Sequence, residues 1–347
     1  MPSPDGTSSR RFLRIAPVLL AGATLAAGTS ACGSAAKHGG KGNAPKVTSA
    51  PGGSGGSRAP GGAGSVSAVS APWQLAAPVT RPVVVGQGSS LLVMGGLDSG
   101  GGSTNGIFSL SPSTGALVQV GSLAAPTHDA GGAFLHGSAL VFGGGSSSVY
   151  DTVQSWRRGL RSASVIGHLP QPRADCSVAT SGTTAYVGGG YSGTAMDPAL
   201  LSTSTGSSFR TIAQLPVPVR YGAMAVVGSR LVMVGGETAS GSATSVVQVV
   251  NLRTGRAAVA ARLPVALDHA ESAVVGGRVL VVGGRVANVP QSTIWQIDPT
   301  NGTARRVGNL AVAVSDSGVA VVGNTLWVIG GQQGSTAVAT VQEVRLG

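Results

Sequence analysis

Leu231-Val232-Met233-Val234-Gly235-Gly236-Glu237 is the stretch whose reading decides the fold, because the chain writes it six times. The other copies end in Gly95-Gly96, Gly143-Gly144, Gly188-Gly189, Gly283-Gly284 and Gly330-Gly331. Successive doublets lie 48, 45, 47, 48 and 47 residues apart. A fixed period of this size marks an array of supersecondary units, each too small to bury its own apolar faces.

Working outward from the doublet, each unit opens on a leader leucine: Leu75, Leu123, Leu169, Leu215, Leu263 and Leu310. Two apolar runs follow, such as Met224-Ala225-Val226-Val227 and Leu231-Val232-Met233-Val234. Between them lie Gly228-Ser229 and its counterparts Gly88-Ser89, Gly137-Ser138, Gly182-Thr183, Gly276-Gly277 and Gly323-Asn324. Two turn residues that include Gly, between apolar runs, predict a tight hairpin with positive φ. The runs are continuously apolar, which predicts strands buried on both faces. A third strand, a turn such as Asn251-Leu252-Arg253-Thr254-Gly255, and a fourth strand complete the unit. The last copy stops after its third strand at 341–346, and a spare strand precedes Leu75, around 69–73. The expected fold is therefore all-β: a six-bladed β-propeller whose N-terminal strand closes the last blade and leaves no open edge.

Composition narrows the function. The net charge is +11, but from Pro72 onward 16 Arg stand against 11 acids, and they are scattered. Arg157-Arg158 and Arg305-Arg306 are the adjacent pairs, expected at turns. Aromatic residues are only 4% of the chain, so the base-stacking platforms of nucleic-acid binders are missing and no nucleic-acid partner is expected. The two cysteines, Cys32 and Cys176, cannot form a disulfide scaffold.

Residues 1–31 carry a basic start (Arg10, Arg11, Arg14), an apolar Ala/Leu-rich run and the small residues Thr29-Ser30-Ala31 before Cys32. This pattern predicts an export signal. Thr29-Ser30-Ala31-Cys32 resembles a bacterial lipobox, with Thr29 where Leu is usual. Lipidation of Cys32 would place the protein outside the cytoplasm, anchored to the cell membrane. The alternative is an ordinary signal peptide that leaves Cys32 free. Residues 32–65 are Gly, Ser, Ala and Pro with few charges, and read as a flexible tether. Residues 66–347 form the propeller domain.

Six blades marked by Gly-Gly after an apolar strand, with leaders such as Leu169-Pro170-Gln171-Pro172 and Leu215-Pro216-Val217-Pro218, resemble the kelch-repeat propellers. The Tyr and Trp usual after the doublet survive only in part, at Tyr150 with Trp156 and at Trp295. The resemblance implies a binding platform, with a minority of enzymes such as galactose oxidase and a sialic acid mutarotase.

Six residues past each leader Leu come Arg81, Asp129, Asp175, Tyr221, His269 and Asp316, all polar in an apolar chain. In a propeller these entry loops surround one mouth of the channel. The loops after the doublets add Asp98, Glu237, Arg285 and Gln332. The ring is expected either to bind a ligand or simply to face channel water. His128 and His269 belong to opposite blades, too far apart for one ion, so no metal and no cofactor is expected. Cys176 reads as a buried, inert thiol. The function expected is a monomeric module that binds a protein or a glycan. The rival is a sugar-processing enzyme with Asp129, Asp175, His269 or Asp316 as acid or base and Arg81 holding an acidic sugar.

Overall fold

The computed structural model describes residues 65–347. The export signal, Cys32 and nearly all of the tether lie outside the described residues. Strands account for every regular element among those described, in six four-stranded antiparallel sheets and one two-stranded pair, Gln332–Gln333 with Thr336–Ala337.

The first four blades run in simple order. They are Val83–Gln87, Ser90–Met94, Gly106–Leu110 and Leu117–Ser122; then Gly131–Leu135, Ser138–Phe142, Thr152–Arg157 and Ser164–His168; then Ser177–Ser181, Thr184–Gly188, Ala199–Thr203 and Arg210–Gln214; then Ala223–Val227, Arg230–Val234, Val246–Asn251 and Arg256–Arg262. The fifth has longer strands, Asp268–Val275, Arg278–Val286, Val289–Ile297 and Ala304–Val314. The sixth takes Gly318–Val322, Thr325–Ile329 and Val341–Leu346 from the C-terminus and Val66–Ser70 from the start of the domain. Val66 pairs with Leu346 and Ser70 with Gln342, so the ring closes as expected. The closing strand lies a few residues earlier than its expected place at 69–73. Residues beyond it form the leader, where Trp73 stacks on Trp327 at 6.1 Å.

Burial follows the sequence pattern. The second strands are almost wholly buried, as in Leu231, Val232, Met233 and Val234, none more than 1% exposed. The six leader leucines are also buried, wedged between blades. Apolar surface of this kind is worth about 25 cal/mol per Å² removed from water.

The doublet marks the seam between blades. An added Cβ on Gly235 would lie 2.1 Å from the Leu267 carbonyl oxygen of the next blade's leader. The same clash recurs from Gly95 to Thr127, Gly143 to Arg173, Gly283 to Val314 and, closing the circle, Gly330 to Val79. The second glycine donates its N–H to that carbonyl, as Gly236 does to Leu267 at 2.8 Å. Only glycine combines this approach with φ near +60°.

That geometry corrects the third copy. Gly189 and Gly190, at φ +66° and +100°, occupy the seam, while Gly188 ends a strand. The leader-to-doublet distance is then 20 residues in all six copies. The second hairpin is also displaced by one residue. Leu135 pairs with Ser138 across His136-Gly137, both at positive φ, so Ser138 belongs to the strand. A type I′ turn needs that conformation at both positions, and apolar spacing alone does not fix which pair adopts it. Arg305 and Arg306 lie inside Ala304–Val314, a strand longer than its counterparts, and not at a turn.

A further latch recurs in alternate blades. Buried Gln154, Gln248 and Gln342 each accept from the N–H, and donate to the carbonyl, of one leader residue: Ala125, Val217 and Val312. These amides satisfy crossover backbone that has no strand partner.

Candidate functional site

The six ring residues converge on one mouth of the channel, and they share a backbone conformation absent from ordinary strands. Arg81, Asp129, Asp175, Tyr221, His269 and Asp316 all have φ between +51° and +58°. Left-handed backbone costs a non-glycine residue roughly 1 kcal/mol or more. The compensation is a circle of hydrogen bonds. Asp175 N–H donates to the Asp129 carbonyl, Tyr221 to Asp175, His269 to Tyr221, Asp316 to His269 and Arg81 to Asp316, at 2.7–3.2 Å. Five of the six neighbouring pairs are joined this way, the sixth, Arg81 with Asp129, being linked through side chains, and the side chains project into a shared space.

Side chains close the mouth. The Arg81 guanidinium pairs with Asp129 Oδ2 at 2.8 Å and Asp316 Oδ1 at 3.1 Å, on the two flanking blades. It also reaches Tyr221 Oη, on the opposite blade, at 3.4 Å. Tyr221 stacks on the His269 ring at 3.8 Å between centroids. His269 Nδ1 lies 3.0 Å from Asp268 and its Nε2 3.7 Å from Asp316. Asp316 is held further by Arg285 and by Ser315 Oγ, and Arg285 donates to Gln332 Oε1 at 2.7 Å.

Sequence reasoning missed Arg220. Its guanidinium sits 5.2 Å from the Tyr221 ring and 5.6 Å from Tyr191, donates to Glu237 and lies 3.5 Å from Asp175. A signal did exist. The residue before each ring position pairs with the residue after each doublet, as an isolated bridge in five blades, such as Arg220 with Glu237, His128 with Gly145 and Ala174 with Tyr191, and within the strand ladder in the fifth, Asp268 with Arg285. Counting five past the leader would have found Arg220 and His128 together. His128 contacts Asp129 at 3.4 Å and Ser103 at 2.9 Å, and does not meet His269. Asp98 turns to its own loop, accepting from Gly100 and Gly102 N–H.

The enclosed space beneath the ring measures about 130 Å³ and is lined by all six ring residues together with Cys176, Glu271 and Ser272. Below it a wider stretch of about 510 Å³ continues toward the hairpin-turn face, bordered by Val85, Phe134, Val226 and Val321. Val84, Gly132, Val178, Met224, Ser272 and Val319 border both, so the two form one channel.

Electrostatics in this space are unusual. Burial, then the neighbouring Asp129 charge, raises the Asp175 carboxyl to about 7, against a hydrogen bond from Tyr221 and the nearby arginines. Burial, then Asp316, raises Glu271 to about 8. Burial and the same two aspartates hold Tyr221 neutral far above the usual phenol range. Burial also raises the Cys176 thiol to about 11, consistent with an inert group. No group of three or more His, Cys, Asp or Glu side chains among the described residues is placed to hold a metal ion.

Comparison with known proteins fits this architecture. The kelch motif matches residues 267–310, the fifth blade. No curated protein is similar in sequence. A solved structure titled "Structure of YjhT" superposes with a TM-score of 0.67 at 17% identity, over 77% of this chain and 95% of the other. At that identity the likeness concerns the fold alone.

Proposed function

Since this chain is a kelch-type six-bladed β-propeller, we propose that it is a binding module that takes a protein or glycan ligand at the ring mouth. The observation that carries this reading is the contrast between the two ends of the channel. One end gathers Arg81, Arg220, Arg285, Tyr191, Tyr221, His269 and five carboxyls; the other is built from short Gly-containing hairpin turns. Hydration alone calls for polarity, not for stacked rings and shared ion pairs in one place. The propeller acts as a monomer, outside the cytoplasm and tethered through a lipid on Cys32, as the lipobox-like Thr29-Ser30-Ala31-Cys32 suggests. Ser65 accepts from Gly347 N–H at the hairpin-turn end of the last blade, the end opposite the ring mouth.

The test is binding of the purified chain to a glycan array and to candidate surface proteins, compared with an Arg220→Ala, Tyr221→Ala variant. Retained binding by the variant would move the site elsewhere.

One observation favours a second reading, a sugar-processing enzyme. Asp175 keeps its proton near neutrality beside Asp129, giving a potential acid and base in one cavity. Anomer exchange or epimerisation of reducing sugars, followed by NMR and lost in Asp175→Asn without loss of binding, would establish it.

A further inference from the structure

One group in the cavity stands without a partner. The Glu271 side chain lies about two residues, or ~7 Å, inside the ring along its strand. It is enclosed by protein, and what exposure it keeps faces the cavity. The only charge acting on it is the repulsive one of Asp316; no guanidinium or hydroxyl approaches. Ser272 Oγ, on the next residue of the strand, is also buried without a hydrogen bond, but its side chain leaves the opposite face from Glu271. A buried carboxyl left unmatched normally costs several kcal/mol, which a ligand group can recover.

The charge balance says which group. Around the cavity and its rim, Asp129, Asp175, Asp316, Glu237 and Glu271 face Arg81, Arg220 and Arg285. Five carboxyls face three cations: with Asp175 and Glu271 protonated the charges balance, and once those two ionise the unmet demand is for positive charge. Arg81 is committed to Asp129 and Asp316, and the chain's lysines, Lys37, Lys41 and Lys46, all precede residue 65. The side chains do not suit a multivalent metal, which needs more converging ligands. An ammonium is a compact single charge with three donors and suits a lone carboxylate. The Arg81–Tyr221 contact crosses the mouth, and the cavity measures only about 130 Å³, which suits a slender chain.

We propose that the cavity beneath the ring accepts a primary ammonium on a slender alkyl stem, the chemistry of a partner's lysine side chain, with Glu271 as its acceptor. The inference rests on the ring mouth being a ligand site. Bound ammonium displaces protons otherwise held by Glu271 and Asp175, so affinity rises with pH between about 6 and 8. The other groups facing that charge are Asp129, Asp316, His269, Tyr221, Arg81 and Cys176.

The experiment is calorimetric titration of the purified chain with Nα-acetyl-lysine methylamide, its Nε-acetylated form, glucosamine and N-acetylglucosamine, at pH 6 and 8 in buffers of differing ionisation heat. The expected result is at least tenfold preference for the free lysine amine over its acetylated form, with proton release on binding. Glu271→Gln should erase that preference while the thermal melt shows a folded protein; Ser272→Ala, on the opposite face of the strand, should leave it in place. Equal binding of both lysine derivatives, a preference that survives Glu271→Gln, or discrimination among the sugars alone overturns the inference. Glycan or protein binding at the ring mouth without any amine preference sinks this inference only. Absence of every kind of binding sinks the binding-module reading as well.

Discussion

Arg81 of the first blade reaches Tyr221 of the fourth, its Nη1 lying 3.4 Å from the phenol oxygen across the centre of the ring. The same guanidinium holds Asp129 and Asp316, so one side chain ties four of the six blades together at the mouth. The mouth is therefore a braced floor of charged groups, and ligand must meet these side chains rather than pass freely into the channel.

Removing that brace should alter a neighbour's titration. Arg81 opposes the rise of the Asp175 carboxyl, so Arg81→Met should move its pKa further above 7, by roughly one unit. Carboxyl-carbon NMR titration of the two proteins would show it. An unchanged midpoint would mean that Arg81 and Asp175 are not coupled.

Stability should fall as pH rises through this range. Asp175 and Glu271 hold protons in the folded protein that their unfolded forms, near 3.8 and 4.5, release. The folded state binds more protons between about pH 4 and 8, so stability is greatest at the acid end and declines until both are ionised. Asp175→Asn and Glu271→Gln should each flatten the decline and raise Tm at pH 8 by about 2–4 °C. Thermal melts from pH 5 to 8.5 provide the check, and a lower Tm in both variants would contradict the assignment.

Two glycine substitutions should separate seam from turn. Gly235→Ala sets a methyl 2.1 Å from the Leu267 carbonyl, whereas at Gly228, φ +57°, nothing lies within 4 Å. The first should cost about 3 kcal/mol or more and the second about 1 kcal/mol, the left-handed penalty alone. Urea melts of both would rank them, and equal losses would show that the close approach at the seam is not what demands glycine.

Closure should be needed for solubility. A chain beginning at Ala71 lacks Val66–Ser70 and exposes the edge of Val341–Leu346. It should aggregate or melt well below the intact protein, while a chain beginning at Pro60 should match it. Size-exclusion chromatography and a thermal scan decide the matter.

The architecture was legible because a propeller is a repeat, and each copy restates the same constraint. The doublets, the leader leucines and the missing fourth strand of the last copy set blade number and closure by residue type and spacing alone. The six ring positions were legible too, since polar residues at one offset in an apolar chain stand out. Errors arose where residue type was weighed ahead of offset: three consecutive glycines at 188–190, and a hairpin in which glycine follows His136 instead of leading the pair. Counting 20 residues from the leader leucine to the doublet, and 13 and 14 to the turn pair, places both, and positive φ at Gly189, Gly190, His136 and Gly137 shows it.

The sequence by itself determined six equivalent units, their order and a ring of six polar side chains, because local pattern governs strands and turns. Tertiary structure alone decided how those side chains pair. Arg81 meets Tyr221 140 positions away, Arg220 lies between two tyrosines, and Glu271 is left without a counter-charge. Such pairings depend on distances across a closed ring, and no stretch of chain contains them.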